Sequence, residues 1–284
     1  MYKLIDGKEV SLYIKDKAKD EVKNLNARGI EVCLAVIIVG DDPASRVYVN
    51  NKKRACEAVG IKSIEYALPE STSENELLEL IYSLNKDETV NGILCQLPVP
   101  KHISENKIID AIVPEKDVDG FSAENVGRLW LGKYDIASCT PAGVIELLDY
   151  YKIDIAGKNC VVVGRSNIVG KPMLSLLLER NGTVTVCHSK TQNLSAFTSQ
   201  ADILVAAVGR KRFITADMVK DGAVIIDVGI NRDDNGKLCG DVDFENVKHK
   251  ASYITPVPGG CGPMTIAVLM KNTVIACKRQ NNIK

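Results

Sequence analysis

The sequence predicts an α/β protein made of two α/β domains, because apolar runs and amphipathic stretches alternate twice along the chain. The first alternation covers residues 8–112 and the second covers residues 159–228. A charged, turn-rich segment, residues 114–121, lies after the first alternation, and we place the domain boundary near it. The expected domains are residues 1–120 together with a C-terminal helix at 264–284, and residues 121–263.

In the first domain, helical spacing of apolar residues predicts helices, and continuous apolar runs predict strands covered on both faces. The predicted helices are residues 8–28, 44–59 and 104–112, and one that begins after the capping box of Ser73 and Glu76. The predicted strands are residues 32–39 and 92–97. Gly29 and Gly60 follow two of the helices as stop signals.

The second domain repeats this alternation. Its predicted strands are residues 159–163, 183–187, 203–208 and 223–228. Its predicted helices are residues 141–151, with Thr140 as the N-cap, and residues 170–180, with Gly182 just past the end. Apolar residues between Ile266 and Cys277 form an amphipathic stripe typical of a last helix.

Composition excludes several classes of protein. Lys plus Arg equals Asp plus Glu at 36 each, so the net charge of +0 gives no electrostatic sign of a nucleic-acid or anionic-membrane partner. No apolar run has the length of about 18 residues that a membrane span needs, and no signal peptide is visible. The nine cysteines are scattered without a C-x-x-C pair, which argues against a zinc or disulfide framework and indicates a reducing, cytoplasmic compartment. We therefore expect no metal site.

Residues 161–172 have the pattern of a strand, a polar turn and a helix start. Gly164 permits the turn and Gly170 permits close packing, although Ser166 stands where the G-x-G-x-x-G pattern has its second glycine. A P-loop is excluded because Pro172 replaces the required Ser or Thr. The context fits a Rossmann-type dinucleotide-binding domain, in which backbone N–H groups at a helix start hold a pyrophosphate. An ordinary strand-to-helix turn is the alternative.

The next strand favours NADP over NAD. An acidic residue at its end would bind the ribose of NAD, but the strand ends in His188-Ser189-Lys190-Thr191 without a carboxylate. Ser189 can donate to a phosphate, and Lys190 and Arg165 add positive charge. These residues suit a 2′-phosphate, unless they simply begin a solvated loop.

A candidate catalytic helix lies in the first domain. Ser45, Tyr48 and Lys52 share one face of it, and a tyrosine and a lysine four residues apart can act as an acid/base pair. The same spacing also occurs on helices that merely face water. The pair precedes the dinucleotide turn by more than a hundred residues, which argues against a short-chain dehydrogenase. The order of segments instead predicts that substrate chemistry in the first domain faces the dinucleotide across a cleft.

Three further features suit such a cleft. Gln96 follows an apolar strand at its carboxyl end, where open α/β sheets bind ligands. Asp119 lies in the turn at the domain boundary, and residues 256–265 form a Pro- and Gly-rich loop. The structural alternatives are a strand cap, an Asx-turn and a plain connection, respectively.

Taken in order, these segments resemble the bifunctional methylenetetrahydrofolate dehydrogenase/methenyltetrahydrofolate cyclohydrolase family. The matching segments span nearly the whole chain and are residues 45–52, 92–100, 114–121, 164–172, 188–191, 227–231 and 256–265. Cys95 and Cys261 depart from the family, which usually has aliphatic residues there.

The resemblance implies oxidation of 5,10-methylenetetrahydrofolate with NADP, followed by hydrolysis of the methenyl product to 10-formyltetrahydrofolate. It implies that Lys52 activates water and moves protons, Gln96 positions Lys52, Tyr48 packs against the folate ring and Asp119 hydrogen-bonds the pterin. The other implied folate contacts are Cys95, Leu97, Pro256, Pro258, Gly259, Gly260, Pro263 and Thr265. The implied NADP contacts are Gly164, Arg165, Ser166, Ser189 and Ile230. The family also implies a homodimer.

Two other functions remain open at this point. One is an NADP-dependent oxidoreductase that acts on a different small substrate, and the other is a non-catalytic dinucleotide sensor. Lys52, Gln96 and Asp119 favour an enzyme, because a sensor has no need for them. His102 and His249 have no assigned role, and we expect them at the surface.

Overall fold

The computed structural model describes residues 2–283, apart from the side chain of Ala44, as alternating helices and strands. The helices are α1 (Gly7–Asn26), α2 (Pro43–Val59), α3 (Glu74–Lys86), α4 (Glu105–Ala111), α5 (Ala123–Trp130), α6 (Cys139–Tyr150), α7 (Gly170–Glu179), α8 (Leu194–Thr198), α9 (Phe244–Val247) and α10 (Cys261–Gln280). The strands are β1 (Lys3–Leu4), β2 (Cys33–Val39), β3 (Lys62–Leu68), β4 (Gly92–Cys95), β5 (Asn159–Val163), β6 (Thr183–Cys187), β7 (Ile203–Ala206), β8 (Val224–Asp227), β9 (Asn231–Arg232), β10 (Leu238–Cys239) and β11 (Tyr253–Ile254). Met1 and Lys284, the ends of the predicted domains, lie outside the described residues.

Strands β3, β2 and β4 form a parallel sheet in that order. All residues of the central strand β2 are buried, as its continuous apolar sequence predicts. The register pairs Ile37 with Cys95, so the carboxyl end of β4 lies beside β2. The sequence does not predict β3, because exposed polar residues such as Lys62 interrupt its apolar positions, as expected for an edge strand.

A second sheet has the order β1-β11-β8-β7-β5-β6, and each neighbouring pair in it is parallel. The strand after β5 in the chain, β6, lies on one side of β5, and β7 lies on the other. Such a change of direction beside the first strand is the topology of dinucleotide-binding sheets. The predicted α/β fold class is confirmed.

Some predicted strands end one or two residues early in the structure. Strand β7 ends at Ala206 rather than at residue 208, because the Val208 and Gly209 N–H groups donate to the Asp241 carboxylate instead of to a neighbouring strand. Strand β4 ends at Cys95, and the Leu97–Pro98 peptide that follows is cis.

Several helix ends differ from the prediction, although the Ser73/Glu76 capping box is confirmed. Thr140 is not an N-cap, because α6 begins at Cys139. The left-handed residue after α7 is Asn181, with φ of 61°, rather than Gly182. Helix α10 begins at Cys261 inside the predicted loop, and Pro263 is tolerated there because the first turn of a helix needs no backbone donor. Helix α5 is not predicted from the sequence.

Contacts divide the chain into two compact units. The Lys52 unit comprises Tyr13–Cys139 and the segment that begins at Ile266, and the Gly164 unit comprises the segment that ends at Leu12 and Thr140–Thr265. The N-terminal segment belongs to the Gly164 unit because β1 pairs with β11. Residues 121–139 belong to the Lys52 unit, where Asp117 binds the start of α5. This division by contacts differs from the predicted functional boundary at residue 120, which stays a prediction.

Other sequence expectations concern the whole chain. Within residues 2–283 no helix is long and apolar enough to cross a membrane, and no group of Cys, His, Asp and Glu side chains is arranged to hold a metal ion. The cysteines have free thiols, all buried except the partly exposed Cys239. His102 and His249 are exposed.

Candidate active site

Helix α2 carries Tyr48 and Lys52. It begins where the Asp42 carboxylate accepts a hydrogen bond from the Ser45 N–H at 2.7 Å, and it ends at Gly60, which has φ of 85°. Ser45 is buried, Lys52 is partly buried and Tyr48 is 38% exposed. Tyr48 and Lys52 therefore lie at the border of the buried face, where a side chain can touch both protein and ligand.

Gln96 holds the Lys52 ammonium. The Lys52 Nζ donates to Gln96 Oε1 at 2.9 Å, and Gln96 Nε2 donates to the Leu97 carbonyl oxygen at 2.6 Å. The Gln96 backbone N–H extends the sheet by donating to Ile37 O at 2.8 Å. Because its amide nitrogen is engaged, Gln96 presents its oxygen to the lysine, and the predicted pairing of these two residues is present in the structure.

Asp117 builds the turn that follows. Its Oδ1 accepts a hydrogen bond from the Gly120 N–H at 2.9 Å, and its Oδ2 accepts from the Ser122 N–H at 2.8 Å and from Asn125 Nδ2 at 2.9 Å. The carboxylate is buried and has partners on both oxygens. The turn-forming aspartate is thus Asp117 rather than Asp119.

Asp119 has a different environment. Burial raises the pKa of its carboxyl to about 6, an effect that the positive charge of Lys52 opposes and the negative charge of Asp117 reinforces. The Cys139 thiol donates a long hydrogen bond of 3.8 Å to Asp119 Oδ1. Asp119 thus shares an electrostatic environment with Lys52 and retains acceptor capacity that a ligand can use.

The sequence analysis did not identify Cys139 and Asn272, which both bind the backbone carbonyl of Val118, the residue before Asp119. The Cys139 thiol donates to the Val118 carbonyl at 3.4 Å, and Asn272 Nδ2 donates to the same carbonyl at 2.9 Å. Asn272 also donates to Ala137 O at 3.0 Å. One sequence feature could have indicated Asn272: it is an asparagine within the apolar stripe of the last helix, and a buried amide needs specific hydrogen-bond partners.

An apolar pocket lies beside Asp119. Its lining residues are mostly aliphatic and are Ile93, Cys95, Leu97, Ile108, Ile109, Ile112, Asp117, Asp119 and Phe121. Burial raises the pKa of the Cys95 thiol to about 12, so this thiol stays neutral. The pocket therefore combines apolar walls with two carboxyl groups, of which Asp117 has both oxygens occupied by hydrogen bonds within the protein.

The Pro- and Gly-rich loop belongs to the Gly164 unit. Within it the Val257–Pro258 peptide is cis, Gly259 and Gly260 are buried, and Pro256 and Pro263 are partly exposed. Thr265 lies in the first turns of α10, and its Oγ1 is 2.9 Å from Thr140 Oγ1.

The turn after β5 has the geometry of a phosphate-binding turn. Gly164 has φ of 135°, and a Cβ on it would lie 2.2 Å from the Ala207 carbonyl oxygen. A Cβ on Gly170 would lie 2.2 Å from the Gly164 carbonyl oxygen. The Ser166 hydroxyl oxygen accepts from the N–H groups of Val169 at 3.1 Å and Gly170 at 3.4 Å, and it can still donate its own hydrogen.

Arg165 and Ser189 lie beyond neighbouring strands. Val163 of β5 pairs with Cys187 of β6. Arg165 comes two residues after Val163, and Ser189 comes two residues after Cys187. The side chains of Arg165 and Ser189 are both exposed. The turn after β6 is closed by the Thr191 hydroxyl, which accepts from the His188 N–H at 2.9 Å. This edge therefore offers a guanidinium and a hydroxyl without a carboxylate in either turn.

Ile230 follows strand β8, and its side chain is 50% exposed. Strands β8, β7, β5 and β6 are parallel neighbours, so their carboxyl ends lie along one edge of the sheet. All the predicted cofactor contacts, Gly164, Arg165, Ser166, Ser189 and Ile230, follow strands of this edge.

The fold and these two sites define a dinucleotide-binding α/β protein with a separate lysine-centred site. The chain matches two family descriptions: "Tetrahydrofolate dehydrogenase/cyclohydrolase, catalytic domain" over residues 5–119, and "Tetrahydrofolate dehydrogenase/cyclohydrolase, NAD(P)-binding domain" over residues 138–281. The chain therefore belongs to the tetrahydrofolate dehydrogenase/cyclohydrolase family.

Relatives match over almost their full length. The "Bifunctional protein FolD" of Agathobacter rectalis is 63% identical over 279 residues, which are 98% of this chain and 100% of that protein. The crystal structure of the bifunctional enzyme FolD from Campylobacter jejuni has a TM-score of 0.97 at 53% identity, and the match covers 98% of this chain and 99% of that one. The Trypanosoma brucei FolD, solved with NADP cofactor and an inhibitor, has a TM-score of 0.93 at 37% identity and covers 98% of both chains.

The hydrogen bonds of the two aspartates predict opposite effects on stability. Asp117→Ala should lower the free energy of unfolding of the Lys52 unit by about 3 kcal/mol, since each buried donor left unsatisfied costs about 1–3 kcal/mol. Asp119→Ala should leave it unchanged or raise it, because a carboxyl whose pKa is raised by burial opposes folding when it is ionised at pH 7. Urea unfolding followed by circular dichroism measures both effects, and equal losses in the two variants would contradict these roles.

Proposed function

We propose that this chain oxidises 5,10-methylenetetrahydrofolate to 5,10-methenyltetrahydrofolate with NADP and hydrolyses the product to 10-formyltetrahydrofolate. The observation that carries the proposal is the Lys52–Gln96 hydrogen bond, which lies near the partly exposed Asp119 inside the part of the chain that matches the family's catalytic domain. The family membership and the NADP-suited turns of the Gly164 unit support the first reaction, and the lysine cluster supports the second.

The residues at the edge of the Gly164 unit fit NADP. Gly164 and Gly170 leave space that a Cβ would fill, Ser166 can donate from the helix start, and Arg165 and Ser189 can both donate to a 2′-phosphate. When bound, NADP supplies the acceptor for the hydride that leaves the methylene carbon. Ile230 offers an exposed apolar side chain at the same edge.

Lys52 moves the protons of the hydrolysis. Water adds to the methenyl carbon and loses one proton. The bond from this carbon to N5 then breaks as N5 gains a proton, and the hydroxyl on the carbon loses its own proton to become the formyl oxygen, so one proton is released overall. Lys52 Nζ relays these protons between water and N5, while Gln96 fixes the position of Nζ through its Oε1.

Asp119 and Tyr48 bind the folate. In its ionised form Asp119 can accept hydrogen bonds from the amino group and a ring N–H of the pterin, and its pKa of about 6 leaves it mostly ionised at neutral pH. The half-exposed Tyr48 ring, one helical turn before Lys52, offers a flat apolar surface to the folate ring.

The remaining folate contacts belong to the same proposal. Cys95 and Leu97 line the apolar pocket beside Asp119. The other proposed contacts lie in the loop that leads into α10 or in the first turns of that helix and are Pro256, Pro258, Gly259, Gly260, Pro263 and Thr265. We also propose a cytoplasmic homodimer, on the basis of the family resemblance and the nine free thiols.

Replacing Lys52 tests the hydrolytic site. Lys52→Met keeps most of the aliphatic stem but removes the titrating nitrogen, so hydrolysis of 5,10-methenyltetrahydrofolate should fall by about 100-fold or more while the chain still folds. The decay of methenyl absorbance measures the rate. Lys53→Met, on the exposed neighbour in the same helix, is the matched control and should retain full activity. Hydrolysis at the wild-type rate in folded Lys52→Met would exclude this role.

The raised pKa of Asp119 predicts a pH dependence of folate binding. The group is ionised above its pKa of about 6 and protonated below it. The affinity for tetrahydrofolate should therefore fall by about tenfold for each pH unit below 6, as the carboxylate fraction falls. Calorimetry under nitrogen measures this, with Asp119→Asn as a weaker-binding control that lacks the step. The same pH profile in both proteins would rule out Asp119 as the titrating acceptor.

Arg165 and Ser189 predict the choice of cofactor. Arg165→Ala should lower kcat/KM for NADP by about 10- to 100-fold, because a charge-assisted contact to phosphate is worth roughly 1.5–3 kcal/mol. The use of NAD should change much less, and adding Ser189→Asp should shift the preference further toward NAD.

The ratio of the NADP and NAD specificity constants is the measurement. Arg180→Ala, at the far end of α7, is the control and should leave the ratio unchanged. A wild-type preference for NAD, or a ratio that Arg165→Ala does not move, would leave the turn as a general pyrophosphate site.

A further inference from the structure

Two buried aspartates of the Gly164 unit have no part in the mechanism above. Asp227 is the last residue of β8, and Asp241 follows the β9–β10 hairpin. Their exposed fractions are 3% and 0%. Aspartate is rarely buried so completely unless it has specific partners.

Asp241 binds two separate loops. Its Oδ2 accepts from the Val208 N–H at 2.6 Å and the Gly209 N–H at 3.0 Å, and its Oδ1 accepts from the Arg210 N–H at 2.8 Å. The same Oδ1 accepts from Asn231 Nδ2 at 2.9 Å. One carboxylate thus joins residues 208–210, which follow β7, to Asn231, which follows Ile230 after β8.

Asp227 in turn holds the Asp241 segment. The Asp241 N–H donates to Asp227 Oδ1 and the Val242 N–H donates to Asp227 Oδ2, each at 2.9 Å. Asp227 Oδ1 also accepts from the Gly229 N–H at 2.9 Å. The two carboxylates therefore form a connected system of hydrogen bonds.

Close packing leaves this system little freedom. A Cβ on Gly229 would lie 2.3 Å from the Asp241 carboxyl carbon, and a Cβ on Gly240 would lie 1.8 Å from Asp227 Oδ2. The backbone approaches each carboxylate so closely that only glycine fits. The loops after β7 and β8 are therefore held in one arrangement.

The position of these loops relates them to the dinucleotide. The turn that suits the adenosine 2′-phosphate lies beyond β5 and β6, so the other half of a dinucleotide extends toward β7 and β8 on the opposite side of β5. Ala207, just before the Asp241-bound backbone, is also the residue against which Gly164 packs.

We propose that Asp241 is a positioning residue for the nicotinamide half of NADP, acting through the loops at residues 208–210 and 228–231. The inference rests on the proposed function, because it concerns the NADP-dependent reaction. Its role differs from that of Arg165 and Ser189, because Asp241 is fully buried and acts by fixing the backbone of residues 208–210.

The isosteric variant Asp241→Asn tests this role. An amide keeps the shape but replaces one acceptor oxygen with a donor, which must then face an N–H group of the loops. We expect the Kd for NADP to rise by tenfold or more and the dehydrogenase kcat to fall, while methenyltetrahydrofolate hydrolysis, which consumes no NADP, stays at the wild-type rate. Asp217→Asn, an exposed aspartate of the same unit, should change neither activity.

Asn231→Ala removes the hydrogen bond from Asn231 Nδ2 to Asp241 while both carboxylates remain. This second variant tests the same inference if Asp241→Asn does not fold. It should raise the Kd for NADP by about threefold or more, without affecting hydrolysis. An unchanged Kd in this variant, or parallel losses of both activities in folded Asp241→Asn, would overturn the inference. Wild-type protein without either activity would refute the proposed function instead, so the two failures are distinguishable.

Discussion

Asp117 and Asp241 each accept hydrogen bonds from several loop groups inside the protein, and the functional side chains lie on the loops that they hold. Asp117 binds the Gly120 and Ser122 backbone and thereby shapes the segment that contains Asp119. Asp241 binds the backbone after β7 and the side chain of Asn231 beside Ile230. In a loop, such acceptors replace the ladder that strands provide, since buried N–H groups need partners. The same device therefore orders the site loops of both units.

Asp119 differs from these two residues in the hydrogen-bond donors that its carboxyl oxygens meet. Its hydrogen-bond partner among residues 2–283 is a thiol at 3.8 Å, a weak donor. Burial without strong partners raises the pKa, whereas a full set of donors would lower it. A carboxyl that lowers the stability of the folded protein in this way is typical of a binding site, because a bound ligand can supply the hydrogen-bond donors that the protein does not provide. The neighbouring Lys52 donates its hydrogen bond to the neutral amide of Gln96.

Local sequence patterns predicted the elements whose signals are strongest. Strand β2 is continuously apolar because neighbours cover it, and α2 is bounded by Pro43 and Gly60, which act at any helix end. Edge strand β3 and helix α5 were missed, because both expose polar residues and draw much of their stability from tertiary neighbours. Thr140 was a reasonable cap by residue type, but its hydroxyl instead contacts Thr265, which is 125 positions away.

The sequence by itself determined the α/β class, the dinucleotide turn at Gly164 and the polar residues Lys52, Gln96 and Asp119 as candidates, because residue type and short-range spacing carry those signals. The resemblance implied that Gln96 positions Lys52, and the tertiary structure shows the hydrogen bond that joins them across 44 positions. Only the tertiary structure showed that Asn272 binds the Val118 carbonyl beside Asp119 from the last helix. It also decided that Asp117, rather than Asp119, forms the turn. A hydrogen bond between distant segments depends on where the chain brings its donors and acceptors, and the local pattern around either residue does not contain that information.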